Sequence, residues 1–275
     1  MTTDSRSREA TLNESTTDVV LGIDDVAVHY GGIKAVDGIS FDITRGKIFG
    51  ILGPNGSGKS TLLAAVTRLT PLTRGTLTFE GEPFAKVSAQ KVAKLGIART
   101  FQTVRLLPDL TVRENVALGA DLGAEQGGMR ELLLGRKALL NRSRAAVAEA
   151  LERTGLTGLE DIRPGELSYG LQRRVEIARA IAMSPRLLLL DEPTAGMNKS
   201  EREDVSSLLK KLREEGLTQL LVEHDVQMMV DTCDTLIAMN FGVLIAQGKP
   251  QDVVREPSVQ EAYLGKRGAQ DARSQ

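Results

Sequence analysis

Nine consecutive residues combine three glycines with one lysine and three hydroxyl side chains. They are Gly53, Pro54, Asn55, Gly56, Ser57, Gly58, Lys59, Ser60 and Thr61. The apolar stretch Ile48 to Leu52 precedes them, and apolar residues at helical spacing follow, from Leu62 through Leu63 and Val66 to Leu69. In this strand–loop–helix context the pattern G-x-x-x-x-G-K-[ST] binds nucleotide phosphates. We therefore predict a phosphate-binding loop, and a purely structural glycine-rich turn is the alternative.

Each residue type in this loop has a chemical use. The glycines let successive backbone N–H groups turn toward phosphate oxygens, and the start of the following helix adds its dipole. Lys59 would neutralise charge on the β- and γ-phosphates, and Ser60 would offer a hydroxyl to Mg²⁺. The loop therefore predicts binding and hydrolysis of a nucleoside triphosphate.

Two adjacent carboxylates, Asp191 and Glu192, follow the apolar run Leu187 to Leu190. Ligands of open α/β sheets gather at the carboxyl ends of strands, and burial makes an unused carboxylate costly. We expect Asp191 to hold Mg²⁺ through water and Glu192 to act as general base toward the attacking water. A solvated pair of carboxylates at a strand end is the alternative.

The segment Leu167-Ser168-Tyr169-Gly170, called here the signature segment, precedes a helix predicted from about Leu171 to Ala182. It offers free N–H groups and a hydroxyl to a second anion. Since the first loop already serves one nucleotide, a second anion site suggests the nucleotide of another subunit. A serine at this place is more often only a helix cap.

The elements that position these residues predict an α/β fold. Val19 to Phe49 alternates between apolar and polar residues, with turns at Gly31-Gly32 and Arg45-Gly46, which predicts short antiparallel strands. Three further apolar runs, at Leu187–Leu190, Leu220–Val222 and Leu236–Met239, predict buried strands of a mostly parallel sheet, with helices such as Glu201–Glu214 between them.

Strand signals vanish from Gln102 to about Met183, which predicts an inserted helical subdomain. It opens on the capping-box pattern of Thr111 and Glu114. Basic residues between Arg130 and Thr154 fit a solvated helix face better than a nucleic-acid patch.

Composition excludes several classes. Among 275 residues, 35 Lys and Arg face 36 Asp and Glu, so no bulk charge favours nucleic acid. The polar first eighteen residues contain no apolar signal-peptide segment, and no apolar run approaches the roughly 20 residues that cross a bilayer. The single cysteine, Cys233, excludes an internal disulfide and is expected to fill a core site.

The order of these features resembles the ATP-binding subunits of ATP-binding cassette (ABC) transporters. Tyr30, the loop at Gly53, Gln102, the signature segment, Asp191-Glu192 and His224 follow one another as in that family, and the resemblance covers Val19 to about Gly248. It implies a P-loop NTPase core with an N-terminal antiparallel β subdomain. ATP and Mg²⁺ are then the expected ligands.

The resemblance also implies roles. Tyr30 would stack on adenine, Gln102 would link Mg²⁺ and the attacking water to the helical insertion, and His224 would contact the γ-phosphate; a half-buried strand aromatic is the alternative for Tyr30. Ser168 and Gly170 would bind a partner's ATP. Tyr169 and Leu171 depart from the usual L-S-G-G-Q, and Asn198 stands where many relatives have Asp.

Local details resemble the LivG-like branch, which energises uptake of branched-chain amino acids. They are Ala98–Gln102, Val104–Leu106, Thr111–Asn115, Ser168–Gly170, Ala195–Asn198, Ala262–Gly265 and a helical insertion near Gln126–Arg144. Importers of urea, amides or other small solutes would look similar. A soluble ABC ATPase acting on ribosomes or DNA, and a kinase or GTPase that uses only the Gly53 loop, fit less well.

The resemblance implies an assembly on the cytoplasmic face of the membrane, with this chain peripheral. Its partners would be a second ATPase subunit (LivF-like or identical), two transmembrane permease subunits and, indirectly, an extracytoplasmic solute-binding protein, with no nucleic acid. We expect one ABC domain over residues 19–265, with core segments 19–101 and 184–250, a helical subdomain at about 102–183 and a C-terminal helix at 251–265. Residues 1–18 and 266–275 are expected to be tails.

Overall fold

The computed structural model describes residues 18–124 and 135–264. The strands in this part of the chain are β1 (Val19–Tyr30), β2 (Ile33–Thr44), β3 (Ile48–Leu52), β4 (Arg74–Phe79), β5 (Glu82–Pro83), β6 (Ile97–Arg99), β7 (Leu187–Asp191), β8 (Thr218–Val222), β9 (Thr235–Asn240) and β10 (Val243–Gly248). The α-helices are α1 (Lys59–Val66), α2 (Ala89–Val92), α3 (Val112–Ala124), α4 (Gly135–Arg153), α5 (Tyr169–Ile181), α6 (Lys199–Glu214), α7 (Val226–Thr232), α8 (Pro250–Val253) and α9 (Pro257–Leu264).

The strands form two sheets. One is antiparallel, in the order β2-β1-β4-β5. The other has the order β10-β9-β3-β8-β7-β6, and all its pairs are parallel except β10 with β9. The α/β class and both sheet types predicted from the sequence are confirmed.

The two faces of the parallel sheet bury two separate cores. Along β3, Phe49 and Ile51 pack with the antiparallel sheet and α1, whereas Ile48 and Leu52 pack with α3, α5 and α6. Every residue of β3, β7 and β8 is buried, because helices or the second sheet cover both faces. These strands therefore read as continuous apolar runs.

Between β6 and β7 the described residues form only helices and turns. Thr111 begins α3 through the predicted capping box: its N–H donates to Glu114 Oε2 at 2.8 Å, and its hydroxyl accepts from the Glu114 N–H at 3.2 Å. The segment 125–134 of the expected insertion lies outside the described residues, as do residues 1–17 and 265–275. The subdomain limits and the two tails stay predictions.

Some elements differ from expectation. β1 and β2 have 12 residues each rather than being short, and bulges in their pairing accommodate the length. Helix α1 ends at Val66, so Leu69 lies beyond it and is exposed. The expected C-terminal helix is divided into α8 and α9, since Pro257 lacks the N–H that a continuous helix needs and instead begins α9. Cys233 is buried as expected, and burial raises the pKa of its thiol.

Candidate functional site at the carboxyl edge of the parallel sheet

The phosphate-binding loop joins the buried strand β3 to α1. Gly58 has φ +102°, and a Cβ there would lie 2.3 Å from the Ala35 carbonyl oxygen, so only glycine fits. A Cβ at Gly53 would lie 2.3 Å from the Met239 carbonyl oxygen. No side chain caps α1 and no acidic residue occupies its first turn, which leaves its start suited to an anion.

Lys59 lies folded over this loop. Its Nζ donates to the carbonyl oxygens of Gly53 at 2.7 Å and Pro54 at 3.0 Å. Burial lowers the pKa of Lys59, and the nearby carboxylates of Glu192 and Asp191 oppose that change. The ammonium group is thus bonded to the loop and is close enough to the carboxylates of Glu192 and Asp191 to interact with their charge.

Asp191 ends β7, which is separated by β8 from β3, the strand that precedes the loop. Its Oδ2 accepts from Arg99 Nη2 at 2.8 Å, and the same guanidinium reaches the Thr67 hydroxyl at 3.1 Å through Nη1. Arg99 ends β6, the neighbour of β7, so the ion pair joins two adjacent strand ends. The carboxylate is nearly buried, and the alternative of a solvated carboxylate is therefore wrong for Asp191.

Glu192 follows directly and has φ +45°, a left-handed conformation that is rare for a glutamate. Its Oε2 accepts from Gln102 Nε2 at 2.8 Å, and His224 Nδ1 lies 3.9 Å from the same oxygen. Gln102 comes after β6 and His224 after β8, so three strand ends bring these side chains together. The structure thus groups Lys59, Asp191, Glu192, Gln102 and His224.

Tyr30 and the signature segment stand apart from this group. Tyr30 ends β1, is half exposed, and its hydroxyl lies 3.3 Å from the Thr70 hydroxyl oxygen. Ser168 caps α5, where its Oγ accepts from the Leu171 N–H at 3.4 Å. Within this chain Ser168 acts as a helix cap, and Gly170 lies in the first turn of the same helix. Asn198 also caps a helix, α6, in a capping box with Glu201.

The donor set suits a nucleotide with its metal. The Ser57 hydroxyl is buried without a hydrogen-bond partner in the described residues, and Lys59 has only loop carbonyls as partners. In the same part of the chain, no cluster of three or more His, Cys, Asp or Glu side chains could hold a metal ion alone. Mg²⁺ is typically held by one or two carboxylates together with substrate phosphates, which fits Asp191 and Ser60.

Sequence reasoning missed three residues of this region. Arg99 and Arg173 contact the site from positions distant in the chain, and Glu223 joins the loops after β7 and β8: its Oε1 accepts from the Thr194 N–H at 2.8 Å and its Oε2 from the His224 N–H at 3.2 Å. Glu223 is fully buried. A carboxylate directly after a buried strand was the available signal, the same one that identified Asp191.

The fold and this site define a P-loop nucleoside triphosphatase. A family model described as ABC transporter matches residues 36–195, and one described as branched-chain amino acid ATP-binding cassette transporter matches residues 243–269. The chain belongs to the family of ABC transporter ATP-binding subunits, and its activity is ATP hydrolysis coupled to transport.

Similar proteins cover almost the whole chain. The high-affinity branched-chain amino acid transport ATP-binding protein BraF of Pseudomonas aeruginosa is 34% identical over 250 residues, which are 90% of this chain and 98% of that protein. The ADP conformation of an ATP-binding cassette of an ABC transporter superposes with a TM-score of 0.78 at 31% identity and covers 90% of this chain and 99% of its own. A dimeric cassette in a post-hydrolysis state, bound to ADP and Pi, has a TM-score of 0.68 at 29% identity, covering 84% of this chain and 98% of its own.

Within the described residues, no helix combines the length and apolar character needed to cross a membrane.

Proposed function

We propose that the chain uses ATP and Mg²⁺ to power an importer of branched-chain amino acids. The hydrogen bond from Gln102 Nε2 to Glu192 Oε2, 2.8 Å long and beside the Lys59 loop, supports the hydrolytic role. The similarity to BraF and the match over residues 243–269 support the substrate class.

In this proposal the phosphates lie in the loop from Gly53 to Thr61. Lys59 exchanges its bonds to two loop carbonyls for phosphate oxygens, and the uncapped start of α1 adds backbone donors. Tyr30, half exposed at the end of β1, offers its ring to adenine. Mg²⁺, when bound with the nucleotide, neutralises phosphate charge, and Ser60, Gln102 and Asp191 would hold it.

Hydrolysis requires a base beside the γ-phosphate. Glu192 takes a proton from the water whose oxygen attacks phosphorus while the bond to the β-phosphate oxygen breaks. Gln102 holds the Glu192 carboxylate, and His224, whose Nδ1 lies 3.9 Å from the same carboxylate, would donate a hydrogen bond to the γ-phosphate. Arg99 keeps Asp191 in place through its 2.8 Å ion pair.

The signature segment completes a second subunit's site. Ser168 is exposed and its hydroxyl accepts from the Leu171 N–H of its own helix, so the segment is accessible to another chain's nucleotide. Two subunits, this chain with a LivF-like homologue or with a second copy, would enclose two ATP molecules between the Lys59 loop of one and Ser168 of the other. The dimeric relative supports this arrangement. The chain alone would then bind ATP but hydrolyse it poorly.

Two permease subunits would seat a helix against the helical insertion on the cytoplasmic face of the membrane. An extracytoplasmic binding protein would deliver the solute. Closure of the ATPase pair would then drive alternating access.

Uptake by a deletion strain tests the substrate class. We expect loss of leucine, isoleucine and valine uptake, restored by the wild-type gene and not by Lys59→Met, which removes the phosphate-binding ammonium. Arg153→Met also replaces a cation by methionine, but it breaks ion pairs with Glu149 and Glu215 at the end of α4. This variant should restore uptake.

Other results would redirect the proposal. Loss of urea or amide uptake instead would replace the solute, and recovery of ribosomes rather than permeases on purification would replace the transport role.

A further inference from the structure

One face of α5 is polar although it is buried. Arg173, Glu176 and Arg179 follow one another at three-residue spacing, and the first two are at most 1% exposed. Residues at this spacing lie on the same side of a helix. Here that side faces the segment Phe101–Arg105, which contains Gln102.

Arg173 makes the central contacts. Its guanidinium donates to two consecutive carbonyl oxygens, Phe101 through Nη1 at 2.7 Å and Gln102 through Nη2 at 2.6 Å. It also donates from Nη1 to Glu176 Oε2 at 2.5 Å. A planar guanidinium holds such a set of acceptors in one fixed geometry, which an ammonium group cannot reproduce.

Glu176 and Arg179 hold the other end of the segment. The Arg105 N–H donates to Glu176 Oε1 at 3.4 Å, and Arg179 Nη1 donates to the Arg105 carbonyl oxygen at 2.7 Å. Burial raises the pKa of Glu176, and the two arginines oppose that rise. The main chain on both sides of Gln102 is therefore fixed to a single helix.

Energetics argue against a purely stabilising role. A buried ion pair loses most of its Coulombic gain to desolvation, and apolar residues of similar size often stabilise a fold as well or better. Arg173 instead donates to the main-chain carbonyls of Phe101 and Gln102, and these bonds fix the position of a site residue.

We propose that Arg173 is a positioning residue for hydrolysis, which ties the main chain of Gln102 to the signature helix α5. The Gln102 side chain in turn donates to Glu192 at 2.8 Å. Movement of α5 therefore moves Gln102 relative to Glu192. Because Ser168 caps the start of α5, a partner's nucleotide that binds Ser168 and shifts α5 would also shift Gln102 relative to this chain's own Glu192. This step rests on the proposed pairing of two subunits.

A double-mutant cycle tests the link. Arg173→Met alone leaves Glu176 buried without its partner, so the principal variant is Arg173→Met with Glu176→Leu, which removes both charges. ATP affinity of the full chain, measured by calorimetry, should stay within about twofold because the Lys59 loop is untouched. Hydrolysis by the assembled transporter should fall about tenfold or more, with KM little changed. Adding Gln102→Ala to this variant should lower the rate of hydrolysis by less than about twofold more, since both changes disturb the same contact between Gln102 and Glu192.

A second measurement does not depend on hydrolysis. Trypsin cleavage after Arg105 in the full chain should be about tenfold faster in the double variant, because the segment loses its bonds to Arg173 and Glu176 and keeps the bond from Arg179 to the Arg105 carbonyl. Arg173→Lys should still hydrolyse ATP slowly and be cleaved fast, since a single ammonium cannot bind both carbonyls. Arg153→Met, an arginine of α4 with ion pairs to Glu149 and Glu215, is the matched control and should change neither cleavage nor turnover.

The outcomes separate the two ideas. Losses that multiply with Gln102→Ala, or unchanged cleavage after Arg105, would overturn the role of Arg173. A wild-type transporter that hydrolyses no ATP would overturn the proposed function, while the cleavage result would still decide whether Arg173 holds the segment.

Discussion

Glu192 occupies an unfavourable backbone conformation at the point where β7 ends. A non-glycine residue at φ +45° costs on the order of 1–3 kcal/mol, and such strain persists only where the surroundings impose it. Here the Glu192 N–H donates to the Val222 carbonyl at 2.8 Å, and its carboxylate accepts from Gln102. The carboxylate is thereby directed toward the edge of the sheet where Lys59 lies.

Replacing the Glu192 carboxylate by an amide tests its role as general base. Glu192→Gln keeps the size of the side chain but removes the ability to accept a proton, so hydrolysis should fall by about 10²–10⁴-fold. ATP binding should remain, and the variant should accumulate as an ATP-bound complex. Steady-state phosphate release and filter binding of labelled ATP measure the two effects.

The control is Glu203→Gln on the exposed side of α6, where Lys199 pairs with the carboxylate. It should leave turnover unchanged. Unaltered hydrolysis in Glu192→Gln would remove Glu192 from its role as base.

Prediction from sequence succeeds at this scale where a residue and its neighbours carry the signal together. The Gly53 loop and Asp191-Glu192 follow buried strands, so their place at the edge of the sheet is fixed by the chain itself. Two residues that hold this site in place are distant in the chain and were not predicted. Arg99 reaches Asp191 across 92 positions, and Arg173 reaches Phe101 across 72. The residues next to each arginine in the chain do not indicate such long-range contacts. Both arginines were therefore missed.

At the scale of elements, the site depends on how closely α3 and α5 approach each other. A Cβ at Gly119 in α3 would lie 1.9 Å from the Arg179 carbonyl oxygen in α5. Helices come this close only where one carries no side chain. The position of α5, and with it the contacts to residues 101–105, therefore depends on this glycine.

Gly119→Ala should separate the two helices. Alanine improves helix propensity by about 1 kcal/mol, but forcing backbones apart in a packed core costs about 1–3 kcal/mol and the cost here lies at the upper end. The free energy of unfolding in urea should fall, and turnover should fall with it because α5 shifts relative to Gln102. Gly165→Ala, where a Cβ would meet no atom within 4 Å, should change stability by less than about 0.5 kcal/mol. Equal stability of the two variants would contradict close packing at Gly119.

Elements with a strong pattern were predictable, and short or bent ones were not. Buried parallel strands such as β3 and β7 show as apolar runs because both faces are covered. β6 has only three residues, too few to establish a period, and its pairing with β7 decides its structure. Apolar spacing continued through Leu69, yet α1 ends three residues earlier, since Arg68 adopts a left-handed conformation.

At the scale of the whole molecule, exposed apolar side chains on α3 form a surface that we expect a partner to cover. Leu118 and Leu122 lie one turn apart on α3, 39% and 51% exposed. Further exposed apolar residues between β6 and β7 are Phe101, Leu107 and Leu140. Polar and charged side chains normally occupy such positions, so this surface suits an apolar helix of a permease.

Charging this surface should release the permease and leave the nucleotide site intact. Burying one leucine is worth about 1.5–3 kcal/mol, so Leu118→Glu with Leu122→Glu should weaken association by at least about a hundredfold. Co-purification of the permease in detergent should be lost, while ATP affinity of the chain stays unchanged because neither residue contacts the Lys59 loop. Val243→Glu, an equally exposed apolar residue on β10 at the opposite edge of the parallel sheet, is the matched control and should retain the permease. If the permease stays bound to the double variant, its docking surface does not include Leu118 and Leu122.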